Sequence, residues 1–126
     1  MQNALGKRIE EVDFSISHCK NAIAVVLSDR PVGVDVESFR HAEEALLKRT
    51  MNPDEQLEVR NASDPAEAFT RLWTRKEAVL KCRGTGIKGF GSMVEALNDE
   101  RMAVTDLPCD LPDVVVSLAQ VVATDE

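Results

Sequence analysis

The stretch from Ser63 to Lys88 constrains the fold most, because it carries the start signal, the periodicity and the stop signal of one long helix. Asp64 is suited to be the N-cap, and the proline that follows it suits the first helical position, where its missing N–H group is no loss. Glu67 can close a capping box with Asp64. Gly84 favours the left-handed backbone that ends helices. The sequence therefore predicts a helix that ends just before Gly84.

One face of this helix is apolar. Phe69, Leu72, Trp73 and Leu80 recur at helical spacing, which is typical of a helix that packs on a core. Trp73 is therefore interpreted as a core residue. Lys76, Glu77 and Lys81 place two cations and one carboxylate on about one further turn of the same helix, which makes it the candidate carrier of chemistry.

The charge of the chain is unevenly distributed. The net charge is −7 and the sequence pI is about 4.9, which argues against nucleic acid and anionic membranes as partners. Residues 71–88 nevertheless contain six basic residues and one acidic residue. This basic run has two interpretations that the sequence leaves open, a solvated helix face or a local site for phosphates or an acidic partner.

The chain has 126 residues, which suits one domain, 1–126, with residues 1–11 expected to be flexible. It contains no run of 18 apolar residues and no apolar signal-peptide core near Met1, so we expect a soluble, cytoplasmic protein. Three cysteines without metal-type spacing, Cys19, Cys82 and Cys109, fit reduced thiols.

Three strands are predicted before the helices. Residues 13–17 alternate apolar and polar side chains, as in a half-buried strand. Residues 22–27 are continuously apolar, which predicts a strand buried on both faces. After a turn at residues 28–31, residues 32–37 are predicted to be the returning strand of a hairpin.

The third predicted strand carries two acids on one face. Asp35 and Glu37 are two residues apart, so both point to the same side. Gly33 leaves space beside them, as where a ligand approaches a backbone. A solvated strand face is the alternative explanation of the two acids. The functional alternative is a site for Mg²⁺, which binds one or two carboxylates together with substrate phosphates.

The remaining elements complete the fold class. Two short helices are predicted over residues 43–50 and from Asn52 to about Arg60, and the long helix follows. Short strands are predicted over residues 102–105 and 114–122. Helices clustered between strands predict an α+β fold with a mainly antiparallel sheet.

Three motifs together carry a family resemblance. They are F-S-I-S-H (Phe14 to His18), V-G-V-D-V-E (Val32 to Glu37) and F-T-R-L-W-T-R-K-E-A-V-L-K-C-R-G-T-G-I (Phe69 to Ile87). In order and approximate spacing the chain resembles the 4'-phosphopantetheinyl transferases, most of all the C-terminal half of the surfactin-type branch. The resemblance implies a single half of that fold. It also implies transfer of the phosphopantetheine group of coenzyme A to a serine of an apo acyl or peptidyl carrier protein, with release of adenosine 3',5'-bisphosphate.

The resemblance also implies roles for individual residues. Asp35, Glu37 and Glu77 match the acids that hold Mg²⁺, and Glu77 also matches the proposed base for the carrier serine. Lys81 matches a lysine that contacts coenzyme A phosphate, and we predict it as catalytic together with Asp35 and Glu77. The predicted contacts of coenzyme A are Ser17, His18, Lys76 and Lys81. Chemically this set is coherent, because transfer at a pyrophosphate requires cations around its negative charge.

The chain departs from the surfactin-type pattern in one respect. That branch has two similar halves, and this chain resembles only the second. Its length resembles the compact acyl-carrier-protein synthase branch, whose single-half chains assemble with each active site between subunits. We therefore expect a homo-oligomer, or a partner chain that supplies the other half. The alternatives are a non-catalytic half-domain that binds carrier protein or coenzyme A, and a magnesium-dependent phosphohydrolase.

Overall fold

The computed structural model of the protein describes residues 13–84 and 93–122. The predicted flexible lead-in, residues 1–11, and residues 85–88 of the glycine-containing loop lie outside these described residues. The described elements are β1 (Asp13–Cys19), β2 (Ala22–Ser28), β3 (Val32–Ser38), α1 (Glu44–Thr50), α2 (Pro53–Asn61), α3 (Pro65–Arg83), a 3-10 turn (Ala96–Asn98), β4 (Met102–Leu107) and β5 (Val114–Val121).

The strands form two antiparallel sheets, so the predicted α+β class is confirmed. β1 and β2 form a hairpin, and the second sheet has the order β3-β5-β4. The prediction that β3 is the returning strand of a hairpin was wrong, because β3 pairs with β5, with Asp35 opposite Ser117. β1 instead bonds to β3 through side chains. The N–H groups of Val32, Val34 and Val36 donate to Asp13 Oδ2, Ser15 Oγ and Ser17 Oγ at 2.9, 3.0 and 3.0 Å.

The hairpin turns its polar side inward. Ser15 and Ser17 are buried, whereas Phe14 and Ile16 are exposed. The prediction that residues 22–27 are buried on both faces was wrong as well, since alternate side chains of β2 are exposed. Within the described part of the chain, no layer covers the outer side of this hairpin. The prediction failed because alternation alone does not tell which side of a strand is covered.

The prediction of α3 is confirmed. Asp64 accepts a hydrogen bond from the Glu67 N–H at 3.2 Å, and Gly84 ends the helix with a φ of 80°. The Glu67 carboxylate does not complete the capping box; it accepts hydrogen bonds from Arg71. A complete capping box forms instead at the start of α2.

The core lies between α3 and the sheet β3-β5-β4, α2 packs against α3, and α1 packs against α2. The predicted apolar face of α3 is buried, with Phe69 and Leu80 fully enclosed. Among residues 13–84 and 93–122, no helix has the length and apolarity needed to cross a membrane.

Candidate active site

The site forms where β3 crosses α3 at very short range. A Cβ atom on Gly33 would lie 2.1 Å from the Ala78 carbonyl oxygen and 2.5 Å from the Cys82 nitrogen. The space that Gly33 leaves is thus filled by the backbone of α3, and the expectation of a ligand at this point was wrong. This close approach brings the acids of β3 beside Glu77 and Lys81.

Asp35 lies at the centre of the site and is 3% exposed. Its Oδ1 accepts hydrogen bonds from Ser17 Oγ at 3.0 Å and from Lys81 Nζ at 3.2 Å. Its Oδ2 is buried and, while Glu37 is ionised, has no hydrogen-bond partner among the described residues. A buried carboxylate oxygen without a partner is costly, so this atom is suited to a ligand that the protein binds.

Ser17 orients Asp35. The Ser17 hydroxyl accepts from the Val36 N–H at 3.0 Å and donates its own hydrogen to Asp35. Because a serine hydroxyl has a single hydrogen to donate, Ser17 as placed has no donor left for a phosphate. The structure therefore brings Ser17 to the site, with its donor directed to Asp35.

Lys81 supplies a cation beside this carboxylate. Its Nζ donates to the Val34 carbonyl oxygen at 3.2 Å and lies 3.5 Å from the Ile16 carbonyl oxygen. The side chain is 30% exposed. Lys81 thus lines the cleft, with its ammonium group against Asp35 and two carbonyl oxygens.

Glu37 and Glu77 add two carboxyl groups to the cleft that contains Asp35. Burial raises the pKa of Glu37 to about 8, together with a hydrogen bond to Asp35 and the negative charges of Asp35 and Glu77. A hydrogen bond from Trp73 acts in the opposite direction. Burial and the charge of Asp35 raise the pKa of Glu77 to about 7, against a lowering effect of Lys81. Three carboxyl groups thus share the cleft with two basic side chains, Lys81 and Arg40, an arrangement that added positive charge would relieve.

The described residues contain no group of three or more His, Cys, Asp or Glu side chains that could hold a metal ion as they stand. The predicted ligands do share one cleft, and two observations suit a hard divalent cation there. One is the unpartnered Asp35 Oδ2, and the other is the raised pKa of Glu37 and Glu77. All the donors are carboxylate oxygens, which Mg²⁺ prefers.

The cleft has a volume of about 420 Å³. Of the predicted pair, Ser17 and His18, the second residue lies exposed at the rim of this cleft. Sequence reasoning missed Arg40, whose guanidinium carbon lies 5.6 Å from the centre of a Trp73 ring. The sequence signal that could have identified Arg40 is its position shortly after the acids of β3. The lining residues are Ile16, Ser17, His18, Asp35, Glu37, Arg40, Trp73, Glu77 and Lys81.

Lys76 does not line the cleft, although it was predicted to contact coenzyme A. Its side chain is fully buried, and its ammonium group lies 2.6 Å from Glu55 Oε1. The carbonyl oxygens of Thr50, Met93 and Val94 accept from it at 3.1, 2.8 and 3.0 Å. Lys76 therefore anchors α3 to its neighbouring elements, and the predicted phosphate contact is not retained.

The comparisons with known proteins agree with the resemblance seen in the sequence. The family model described as 4'-phosphopantetheinyl transferase superfamily matches residues 31–111. The chain is 32% identical over 107 residues to 4'-phosphopantetheinyl transferase psf-1 of Bacillus pumilus, which covers 81% of this chain and 45% of that protein. It is 39% identical over 90 residues to 4'-phosphopantetheinyl transferase HetI of a Nostoc species, covering 66% of this chain and 38% of that protein.

The fold is also found among solved structures. The crystal structure of holo-[acyl-carrier-protein] synthase from Neisseria meningitidis matches with a TM-score of 0.57 and 20% identity, covering 74% of this chain and 98% of that one. At this identity the likeness shows the fold alone. The chain spans about half the length, or less, of the curated relatives it matches.

Proposed function

Because the chain belongs to the 4'-phosphopantetheinyl transferase superfamily, we propose that it transfers the 4'-phosphopantetheine group of coenzyme A to a serine of an apo acyl or peptidyl carrier protein. Adenosine 3',5'-bisphosphate is the product that leaves. The observation that carries the proposal is the meeting of Asp35, Glu37, Glu77 and Lys81 in one cleft between β3 and α3.

The proposed cofactor is Mg²⁺, held by Asp35, Glu37 and Glu77. Support for this comes from the unpartnered Asp35 Oδ2 and from the excess of carboxyl groups over cations. When bound, the ion would neutralise part of the negative charge on the pyrophosphate of coenzyme A.

Glu77 is proposed as the general base. Its carboxyl group lines the same cleft as Asp35 and Lys81, where the carrier serine is proposed to meet the pyrophosphate. The serine oxygen of the carrier forms a bond to the phosphorus that bears the pantetheine arm, and the bond from this phosphorus to the bridging oxygen of the pyrophosphate breaks. The serine proton passes to Glu77, and adenosine 3',5'-bisphosphate carries away the bridging oxygen.

Lys81 and His18 are the proposed phosphate contacts. Lys81 is partly exposed beside Asp35, and His18 stands at the rim of the same cleft. Ser17 belongs to the proposed site through Asp35, which it holds in position. All these groups line the cleft in which the pyrophosphate is proposed to bind.

The proposed partners are the apo carrier protein and a second half-domain. The chain spans 45% of its relative from Bacillus pumilus. A second copy or a partner chain is the proposed source of the remaining wall of a coenzyme A site. We expect the reaction in the cytoplasm, which agrees with the three cysteines being free thiols.

A second candidate function is a half-domain that binds carrier protein or coenzyme A without transfer. A phosphohydrolase built on the same carboxylates is the third.

One experiment separates the three. The protein is incubated with coenzyme A, MgCl₂ and an apo carrier protein, and the carrier is weighed by intact mass spectrometry while released phosphate is measured. A phosphopantetheine adduct that disappears in Glu77→Gln and Asp35→Ala, and persists in the matched control Glu67→Gln on the outer face of α3, supports the transferase. A folded protein that yields no adduct supports the binding half-domain, and phosphate without adduct supports hydrolysis.

A separate readout tests the cation without any activity. MgCl₂ should raise the thermal unfolding midpoint of the protein and of Glu67→Gln, because a ligand that binds only the folded state stabilises it. The same addition should leave the midpoint of Asp35→Asn unchanged. An equal rise in all three proteins would contradict a magnesium site at Asp35.

A further inference from the structure

Trp73 lies where the apolar face of α3 meets the candidate active site. Its side chain is 8% exposed, and its ring centre lies 5.7 Å from that of Phe69, which is fully buried. The same side chain lines the cleft together with Glu37 and Glu77. Residues four apart in a helix share a side, so Trp73 and Glu77 face the cleft from the same side of α3. Trp73 is thus a core residue, as the sequence predicts, and also a wall of the site.

The polar edge of this ring contacts one of the three acids. Glu37 accepts a hydrogen bond from Trp73. The donor is the indole N–H, because a tryptophan side chain has no other polar hydrogen. A buried tryptophan usually finds a partner for this N–H group, and here the partner is a residue proposed to hold Mg²⁺.

Glu37 depends on such a donor more than Asp35 does. Asp35 receives hydrogen bonds from Ser17 and Lys81. Glu37 is half-buried, and while it is ionised the negative charges of Asp35 and Glu77 repel it. Repulsion between like charges would turn a flexible glutamate side chain away from the other acids. A hydrogen bond from a ring that is fixed in the core opposes this movement.

Two further contacts hold the ring and the chain that follows Glu37. The guanidinium carbon of Arg40 lies 5.6 Å from the centre of a Trp73 ring. The Arg40 N–H donates to Thr70 Oγ1 at 2.9 Å, and Thr70 is fully buried about one turn before Trp73 on α3. The segment from Glu37 to Arg40 is therefore attached to α3 at both ends, through a side chain at Glu37 and through the backbone at Arg40.

We propose that Trp73 is a positioning residue, whose indole N–H holds the Glu37 carboxylate beside Asp35 and Glu77 so that the three acids can bind one cation. This role rests on the cation site of the proposed function. Trp73 acts through Glu37 and does not touch the reacting atoms. Hydrogen bonds orient the carboxylates that bind a metal ion, and the loss of such a bond typically lowers metal affinity by about tenfold to a hundredfold.

The first test measures Mg²⁺ binding without activity. Urea unfolding of the whole chain, followed by circular dichroism in rising MgCl₂ at constant ionic strength, gives the dissociation constant from the gain in stability. Trp73→Phe keeps an aromatic ring and removes the N–H, so it should raise this constant by about tenfold or more. The control Val59→Ala shortens a buried side chain of α2 that does not line the cleft. It should lower the stability and leave the constant unchanged.

The outcomes separate this role from the proposed function. Equal constants in the wild type and Trp73→Phe, in a wild type that responds to MgCl₂, overturn the role of Trp73 and leave the proposed function standing. An equal rise of the constant in Val59→Ala also overturns the role, because lost packing would then be the cause. A wild type that does not respond to MgCl₂ overturns the proposed cofactor together with this role.

The second test needs no variant of Trp73 and stays decisive if Trp73→Phe does not fold. The chain has one tryptophan, so its indole N–H gives one resonance in a nitrogen–proton correlation NMR spectrum. Glu37→Gln should move this resonance, because an amide oxygen is a weaker acceptor than a carboxylate, and the matched control Glu67→Gln should not. MgCl₂ should move it in the wild type but not in Asp35→Asn. A resonance that neither Glu37→Gln nor MgCl₂ moves overturns the proposal.

Discussion

Gly33 of β3 and Ala78 of α3 approach so closely that a Cβ atom on Gly33 would stand 2.1 Å from the Ala78 carbonyl oxygen. Helix backbone does not move aside as the end of a flexible side chain does. Gly33→Ala should therefore push α3 away from β3 and lower the free energy of unfolding by about 3 kcal/mol or more. Urea unfolding followed by Trp73 fluorescence measures the loss.

Gly84 provides the control for that substitution. Among residues 13–84 and 93–122, a Cβ atom there meets nothing within 4 Å, so the expected cost is that of the left-handed φ of 80°. Gly84→Ala should lower the free energy of unfolding by about 1 kcal/mol. Equal losses at the two positions would contradict the close packing of β3 on α3.

Ser15 and Ser17 allow the anchoring of β3 to be separated from the positioning of Asp35. Both hydroxyls accept a backbone N–H of β3, and only Ser17 also donates to Asp35. Ser15→Ala and Ser17→Ala should each cost about 1–3 kcal/mol of stability, because a buried N–H group loses its acceptor. Only Ser17→Ala should also reduce the proposed transfer to carrier protein at a temperature where both variants are folded. Parallel reductions in both would refute a positioning role for Ser17.

Local signals predicted α3 correctly. Its cap at Asp64, its periodic apolar face and its stop at Gly84 are encoded within twenty or so neighbouring residues, and each acts through contacts along the chain. The grouping of Asp35 with Glu77 in one cleft was inferred from the family resemblance, since no local pattern brings a strand to a helix forty residues later.

The errors arose where the answer depends on distant contacts. In the pairing of β3 with β5, Val32 lies opposite Gln120, and no residue near β3 in the sequence predicts that partner. The alternation in β1 predicted which residues share a side of the strand. It did not predict that Ser17 rather than Phe14 is buried, because that depends on the N–H groups of β3, which need acceptors. Lys76 looked like a surface cation beside Glu77, and only the fold reveals the oxygens that surround it.

Lys76 should be among the most sensitive positions in the chain. Its ammonium group is fully buried and contacts Glu55 together with three carbonyl oxygens. Lys76→Met keeps the apolar stem and removes the charge, which leaves Glu55 and the carbonyl groups without their donor. The expected loss is about 3–5 kcal/mol in urea unfolding. The exposed Lys48→Met on α1 should change stability little.

A double-mutant cycle identifies the cause of that loss. Glu55→Gln combined with Lys76→Met should cost less than the sum of the two single variants, because the uncompensated carboxylate is then absent. Additive losses would show that Glu55 and Lys76 do not stabilise one another.

Asp106 should make the protein sensitive to acid. Hydrogen bonds from Arg75, followed by smaller contributions that include Ser117 and Arg71, hold the pKa of this carboxyl below its usual range, despite an opposing effect of burial. The folded state therefore binds the proton less readily than the unfolded state does. The stabilisation is complete above the ordinary pKa of an aspartate, about 4, and is lost as the pH falls through the lower pKa of the folded state. Unfolding free energies measured from pH 7 down to pH 3 should fall less steeply in Asp106→Asn than in the wild type. A wild-type slope that Asp106→Asn reproduces in full would assign the acid sensitivity to other carboxyl groups.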